Sequence, residues 1–195
     1  MNQPTHEAAI ADTIVWLERA VIGLNLCPFA KAVHVKGQIR YVLSEASTPE
    51  ALAEDLLREL EFLAQASAEL VDTTLLIHPQ VLTDFLDFND FLEVADGLVD
   101  ELQLDGILQV ASFHPQFQFE GTEPDDISNY SNRSPYPTLH LLREDSVERA
   151  VAAFPDELVI AETNITTLEK LGHDGWAALG LRPSASYCNA HFYWG

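Results

Sequence analysis

The sequence predicts a single α/β domain. Apolar residues recur at helical spacing in several long segments, short runs rich in β-branched and aromatic residues lie between them, and the two kinds of segment alternate. Successive strand-helix-strand units form right-handed crossovers and a parallel sheet. We therefore expect a four-stranded, mostly parallel or mixed sheet flanked by about five helices. The domain is assigned to residues 1–171, and residues 172–195 form a C-terminal tail whose order the sequence does not decide.

The first half of the chain supplies two helices and two strands. Residues 8–24 carry one apolar stripe, which predicts a helix that ends before Pro28. Residues 39–43 are the first strand, and the hydroxyl, proline and glutamate of residues 47–50 begin the second helix. The apolar face of this helix is formed by Leu52, Leu56, Leu60 and Leu63. The buried run 73–77 is the second strand.

The second half continues the alternation and then departs from it. Residues 83–102 return to helical period, and residues 107–113 are the third strand. After a break, residues 138–143 are predicted as the fourth strand. Residues 146–154 and 157–171 are two further helices, which Pro155 separates.

Composition limits the partners and the cellular compartment. The formal net charge is −21, and residues 44–105 hold sixteen acidic residues against one basic residue, Arg58. Such a surface repels phosphate backbones and anionic lipids, so we expect neither nucleic acid nor membrane as a partner. The start of the chain lacks a signal sequence and no apolar run is long enough to span a bilayer, which predicts a cytoplasmic protein. Cys27 and Cys188 lie far apart and are expected to be reduced thiols.

The connection 114–137 is the strongest indication of a site. It is longer than most connections in compact domains, and such loops are functional or disordered. Its four prolines and four aromatic residues argue against disorder. His114 falls at the carboxyl end of a strand, where ligands bind in open α/β sheets.

Three groups of residues also resemble a known family. They are NLCPFA at 25–30, SFHP at 112–115 with QFEGT at 118–122, and NYSNRSPYPTLHLLRE at 129–144. These strings are similar to the bacterial domain-of-unknown-function family DUF1415, over the chain from the first helix to residue 171. The resemblance implies no activity. It implies that five candidate residues belong to recurring motifs: Cys27, His114, Asn132, Arg133 and His140.

Each candidate residue has a functional and a structural interpretation. Cys27 is followed by basic residues, which favour a reactive thiolate, or it is a buried small apolar residue. His114 is a general base or metal ligand, or a strand-end histidine bonded to a loop carbonyl. Arg133 binds a carboxylate or phosphate, or clamps the loop by pairing with Asp125 or Asp126. His140 contributes to the site, or is a satisfied core residue of its strand.

These interpretations lead to three hypotheses. The first is an enzyme, with a hydrolase among the classes considered, that acts on a small anionic molecule: Cys27, His114 and Arg133 are catalytic, and Asn132, Asp125, Asn129 and His140 bind substrate. The second is a metal-dependent enzyme or metal-binding protein that uses His114, His140 and nearby carboxylates, although their spacing matches no fixed metal motif. The third is a non-catalytic module that binds a basic partner through the acidic helices. Cofactor, metal and oligomeric state are not predicted.

Several familiar arrangements are absent from the sequence. It has no phosphate-binding Gly-Lys-Ser/Thr loop, no dinucleotide fingerprint, no Gly-x-Ser-x-Gly elbow and no Cys-x-x-Cys pair. ATPases, dinucleotide oxidoreductases, serine hydrolases of the elbow type and zinc ribbons are therefore disfavoured.

Overall fold

The computed structural model describes residues 6–152 and 157–181. This part of the chain is a single α/β domain with a four-stranded mixed sheet, which confirms the predicted fold class. The strands are β1 (Ile39–Leu43), β2 (Thr73–Ile77), β3 (Leu108–Phe113) and β4 (Thr138–Arg143). Each begins and ends within one residue of its predicted bounds. Most of the predicted tail, from residue 182 onward, lies outside the described residues.

The strand order β1-β2-β4-β3 differs from a simple succession of parallel strands. β1 and β2 are parallel, whereas β4 lies between β2 and β3 and runs antiparallel to both. The connection from β3 to β4 begins and ends at the same edge of the sheet, so β4 must run back beside β3. Four of its six residues are buried, which fits a strand paired on both sides.

One face of the sheet is covered by α3 (Pro49–Gln65) and α4 (Phe85–Glu101). The side chain of Thr48 caps the first of these helices and that of Asp84 caps the second. The leucine stripe of α3 packs with Phe88, Phe91 and Ala95 of α4 over the sheet. This side holds the main apolar core, as the helical periodicity predicts.

The opposite face is covered by shorter segments. They are α1 (His6–Trp16), a π-helical segment (Leu17–Ile22), α2 (Ala30–Val35) and α5 (Glu144–Val151). The predicted helix 8–24 is thus an α-helix that widens into a π-helix. Helix α2 is not predicted by the sequence pattern, because six residues are too few to show an apolar period.

The last described helix, α6 (Glu157–Ala178), holds the β3–β4 connection in place. That connection contains a 3₁₀ helix, Ile127–Asn132, whose Tyr130 ring contacts the rings of His173 and Trp176. At Gly172 the backbone φ is 64°, and α6 kinks there. None of the helices in the described ranges combines the length and the apolar character that crossing a membrane requires.

Candidate functional site

A cavity of about 210 Å³ lies between the sheet and the segments that cover its second face; we refer to it as the sheet-face cavity. Its floor is formed by side chains of all four strands, and its walls by α1, the π-helical segment, α2, α5 and the start of α6. No described residue of its lining is an Asp, Glu, Lys or Arg. The lining side chains that contain a polar atom are Trp16, Cys27, Thr73 and His140. A partly open, uncharged space of this size suits a small apolar molecule.

The π-helical segment shapes one wall of the cavity through Leu17 and Val21. Its wide turn is closed by a hydrogen bond from the Gly23 N–H to the Glu18 carbonyl at 3.0 Å. A Cβ at residue 23 would lie 2.3 Å from the Arg19 carbonyl oxygen, so only glycine fits. Single π-helical turns inside α-helices are frequent at functional sites, and this one borders the cavity.

His140 lies on the central strand β4 and presents its ring to the cavity. Its Nε2 is 2.7 Å from Thr73 Oγ1, and that hydroxyl donates to the Leu141 carbonyl at 2.7 Å. Beside it, Phe113 lies 5.9 Å away between ring centroids. Burial lowers the pKa of His140 to about 4, so the ring is neutral at pH 7.

Cys27 contributes the thiol of the cavity wall. Burial is the main effect on its pKa and raises it, while hydrogen bonds from the backbone N–H groups of Ala30 and Phe29 act in the opposite direction. The thiol is therefore protonated at neutral pH. Cys27 packs with the residues of the α1 and α2 side of the sheet.

His114 occupies a different part of the molecule. It is fully buried directly after β3, where its Nε2–H donates to the Leu82 carbonyl at 3.2 Å and its Nδ1 accepts from the Gln116 N–H at 3.0 Å. The ring contacts Phe85 and Phe88 of α4, and desolvation is the largest cause that lowers its pKa to about 4. The backbone thus engages both nitrogens of a neutral ring. This geometry is that of a strand-end histidine bonded to a loop carbonyl, which is the structural interpretation of His114 given above.

A second buried histidine, His78, lies beside it and is not among the residues predicted for the site. His78 follows β2, is fully buried, and stacks on Phe88 with 5.6 Å between ring centroids. Its Nδ1–H donates to the Val81 carbonyl at 3.1 Å, while its buried Nε2 has no hydrogen-bond partner. Desolvation is the largest cause that lowers its pKa to about 4, and the neighbouring His114 acts in the same direction.

The polar residues of the 114–137 connection hold that connection together. Asn129 is fully buried; its Oδ1 accepts from the Phe119 N–H and the Thr122 hydroxyl, and its Nδ2 donates to the Glu123 carbonyl. Asn132 donates to the Ser112 carbonyl at 3.2 Å. Asp125 is exposed.

Arg133 acts as a clamp on the same connection. Its Nε donates to the Phe117 carbonyl at 3.3 Å, and its Nη2 donates to the Pro124 carbonyl. The guanidinium lies over the Tyr130 ring at 4.1 Å from the centroid. One interpretation of the sequence was that Arg133 clamps the loop by pairing with Asp125 or Asp126. In the structure, its guanidinium donates to backbone carbonyls instead.

The structure therefore brings together two of the seven predicted site residues. Cys27 and His140 line the same cavity, whereas the remaining five belong to the β3–β4 connection and its buried anchor. Cys27 lies on the α1 and α2 side of the sheet, and His114 packs against α4 on the other side. Thr73 was missed; its signal was a polar residue at the start of a buried strand.

No metal centre is formed in the part of the chain that the structure describes. Within residues 6–152 and 157–181, no three His, Cys, Asp or Glu side chains are grouped so that they could hold an ion. His114 and His140, the proposed metal ligands, are both engaged in the hydrogen bonds described above.

Comparison with known proteins gives one family. The family model described as "Protein of unknown function (DUF1415)" matches residues 8–178 and so includes every motif on which the resemblance rests. No curated protein and no solved structure gives a significant match to the chain. The assignment of the fold and the site therefore depends on the molecule's own geometry.

Proposed function

Because the chain belongs to the DUF1415 family, whose function is unknown, we infer its function from its own geometry and propose that it binds a small, uncharged, mainly apolar molecule. The observation that carries this proposal is the sheet-face cavity, a space of about 210 Å³ whose described lining has no charged side chain. Protein interiors are packed to the density of organic crystals, so a space of this size is unusual unless a ligand fills it.

The proposal also has support from the residues around the cavity. Maintaining a cavity sacrifices packing contacts and so destabilises the fold. Here the cavity borders the π-helical segment, which depends on Gly23. Two local departures from regular packing thus coincide at one place, as is expected of a functional site.

A cavity-filling variant tests the proposal. Ala111 of β3 lines the cavity, and Ala111→Leu should occupy the space that a ligand needs. Ala161→Leu, at an exposed position of α6, is the matched control. Thermal unfolding with small apolar probes such as p-xylene and indole should show a rise in Tm for the unmodified chain and the control, because a ligand that binds the folded state stabilises it. Equal shifts in Ala111→Leu, or no shift in any of the three, would contradict the proposal.

The thiol of Cys27 gives a second measurement of occupancy. In a Cys188→Ser background, alkylation by N-ethylmaleimide reports on Cys27, which lines the cavity. An apolar probe bound there should slow the reaction in proportion to occupancy. A rate that stays constant at saturating probe would place the probe elsewhere.

An enzyme is the second candidate, and one observation favours it: Cys27 and His140 share the cavity, so a thiol and a neutral imidazole line one space. Enzymes use such a pair as nucleophile and base where the two groups come within hydrogen-bonding reach. The anionic substrate expected from the sequence has less support, because carbonyls of the connection occupy the Arg133 fork. Once a turnover is identified, Cys27→Ser should abolish it and leave ligand affinity within about twofold; full activity in that variant would exclude the thiol.

The acidic-module hypothesis is supported by an open groove lined by His6, Glu45, Glu54 and Asp55 at the carboxyl end of β1. A basic partner bound there should dissociate as ionic strength rises. A salt-independent affinity would count against this function.

A further inference from the structure

The floor of the sheet-face cavity follows one diagonal of the sheet, and this shape limits the class of ligand, an inference that rests on the proposed function. Seven side chains on one face of the sheet form the floor, in three rows set by the strand register: Ile39, Thr73 and Leu142; then Leu75, His140 and Ala111; then Phe113. The first row extends from β1 to β4, the second from β2 to β3, and the third lies on β3 alone. The other two corners of this face do not line the cavity, because Leu43 packs against a separate cluster and Gln109 is exposed.

The cavity is therefore longer than it is wide. Neighbouring strands lie about 4.8 Å apart and residues along a strand about 3.3 Å apart, so roughly 19 Å of sheet separates Ile39 from Phe113. A spherical space of about 210 Å³ would need opposite lining atoms only roughly 14 Å apart. The volume is thus drawn out along the diagonal.

The surface that the lining presents to the cavity is apolar along this length. Thr73 and His140 bond to each other at 2.7 Å, and no described residue of the lining is charged. A ligand therefore gains binding energy here from methyl and methylene groups, whereas a hydroxyl or a charge placed inside would lose its water without a partner.

Both ends of the diagonal are closed by packed side chains. At the β3 end, the Trp16 ring meets the Phe113 ring edge to face, with 5.0 Å between centroids. At the β1 end, Phe29 and Val33 pack around Ile39. An apolar cavity of about 150 Å³ holds one benzene molecule, so about 210 Å³ holds about eight carbon atoms at the same packing.

We propose that the sheet-face cavity takes an unbranched aliphatic chain of about eight carbon atoms, laid along the diagonal between Ile39 and Phe113. The cavity is partly open, so the polar end of such a chain stays in water at the opening. A compact or cyclic group with the same number of carbon atoms would be too wide for the middle and would leave the ends unfilled, which forfeits packing contacts.

A homologous series of ligands tests this assignment. The probes are the 1-alkanols from 1-butanol to 1-decanol, together with cyclooctanol, which holds eight carbon atoms in a ring. Dissociation constants come from titrations of the full chain followed by NMR. Each added methylene should lower Kd about fourfold as far as 1-octanol, and further methylenes should have no effect, because they remain in water. Cyclooctanol should bind about tenfold more weakly than 1-octanol, because it leaves the ends of the cavity empty.

A variant that shortens the cavity gives a second readout. Ala150 of α5 lines the cavity and packs at its β1 end, so Ala150→Leu adds three carbon atoms there. The chain length beyond which Kd stops falling should decrease from about eight carbon atoms to about five. The matched control, Ala161→Leu at an exposed position of α6, should keep the limit of the unmodified chain. The limit in the unmodified chain requires no variant, so a misfolded Ala150→Leu would not leave the question open.

The contrary outcomes separate this assignment from the proposed function. If cyclooctanol binds as tightly as 1-octanol, if affinity rises through 1-decanol without a limit, or if a folded Ala150→Leu keeps the limit of the unmodified chain, the assignment of an aliphatic chain is wrong. The same holds if no alkanol binds while p-xylene or indole does, and the cavity then remains a site for compact apolar molecules. If neither the alcohols nor these two probes bind, the chain assignment and the proposed function both fall.

Discussion

Acidification should destabilise this protein through its buried histidines. His78, His114 and His140 are neutral in the folded protein, because desolvation lowers the pKa of each to about 4 from an ordinary 6.5. The unfolded chain binds protons on these residues more readily than the folded one. Their contribution to stability is therefore complete above pH 6.5 and is lost as the pH falls from 6.5 towards 4.

The size of the effect follows from these values. At pH 5 an unfolded histidine is almost fully protonated, whereas a buried one with a pKa of about 4 is almost wholly neutral. At 1.36 kcal/mol per pKa unit, the change from pH 7 to pH 5 removes about 2 kcal/mol of stability for each histidine. A loss of this size is a considerable part of the stability of an ordinary domain. The losses from His78 and His114 are not independent, because each protonated ring would disfavour protonation of the other.

Urea unfolding at pH 7 and pH 5 measures the loss of unfolding free energy. Many carboxylates also titrate in this range, so the loss is compared between the unmodified chain and a variant that lacks one histidine. His140→Phe removes a single titrating group and leaves Thr73 with its carbonyl acceptor. The unmodified chain should lose about 2 kcal/mol more than this variant between the two pH values. Equal losses would show that His140 titrates alike in the folded and unfolded states, and the assignment of a buried neutral ring would be refuted.

Three further substitutions and one comparison variant test the packing of the fold. Gly23→Ala brings a Cβ within 2.3 Å of a carbonyl and should cost about 1–3 kcal/mol by urea unfolding, whereas Gly97→Ala, a helical position with open space, should stabilise by about 0.5–1 kcal/mol. Asn129→Ala removes a buried side chain that bonds the Phe119 N–H, the Thr122 hydroxyl and the Glu123 carbonyl, and should cost about 1–3 kcal/mol, with new proteolysis in the β3–β4 connection. Arg143→Met removes the donor to three carbonyls around the end of α3 and the cation 3.8 Å from Asp72, which keeps its hydrogen bond from Ser146, so a loss of about 3–5 kcal/mol in unfolding free energy is expected. A fully stable protein in any destabilising case would contradict the contact concerned.

The fold could be predicted where the pattern is local. The leucine stripe of α3 and the apolar runs of β2 and β4 predict the type of each element and where it lies in the chain. They do so because the spacing of apolar residues indicates whether one face or both faces of an element are buried. The place of β4 between β2 and β3 could not be predicted in this way. It depends on pairing between residues far apart in the chain, such as Leu75 with His140.

The site was predicted in part, for a physical reason. His114 and Arg133 have the residue types of a catalytic site, but their partners are backbone atoms whose positions no side-chain pattern encodes. The cavity lies between the helices and the sheet. Its presence depends on how these elements pack together, which no local sequence pattern encodes. Cys27 and His140 carried a usable signal, because each is a reactive residue type in a mainly apolar stretch.

The central position of β4 has a consequence for synthesis of the chain. The N-terminal 137 residues include β1, β2 and β3, but the strand that joins β2 to β3 has not yet left the ribosome when they are complete. Until it arrives, the inner edges of β2 and β3 present unpaired backbone groups. Truncated chains that end before Thr138 should therefore aggregate, and chains that include all of β4 should be the shortest that close the sheet.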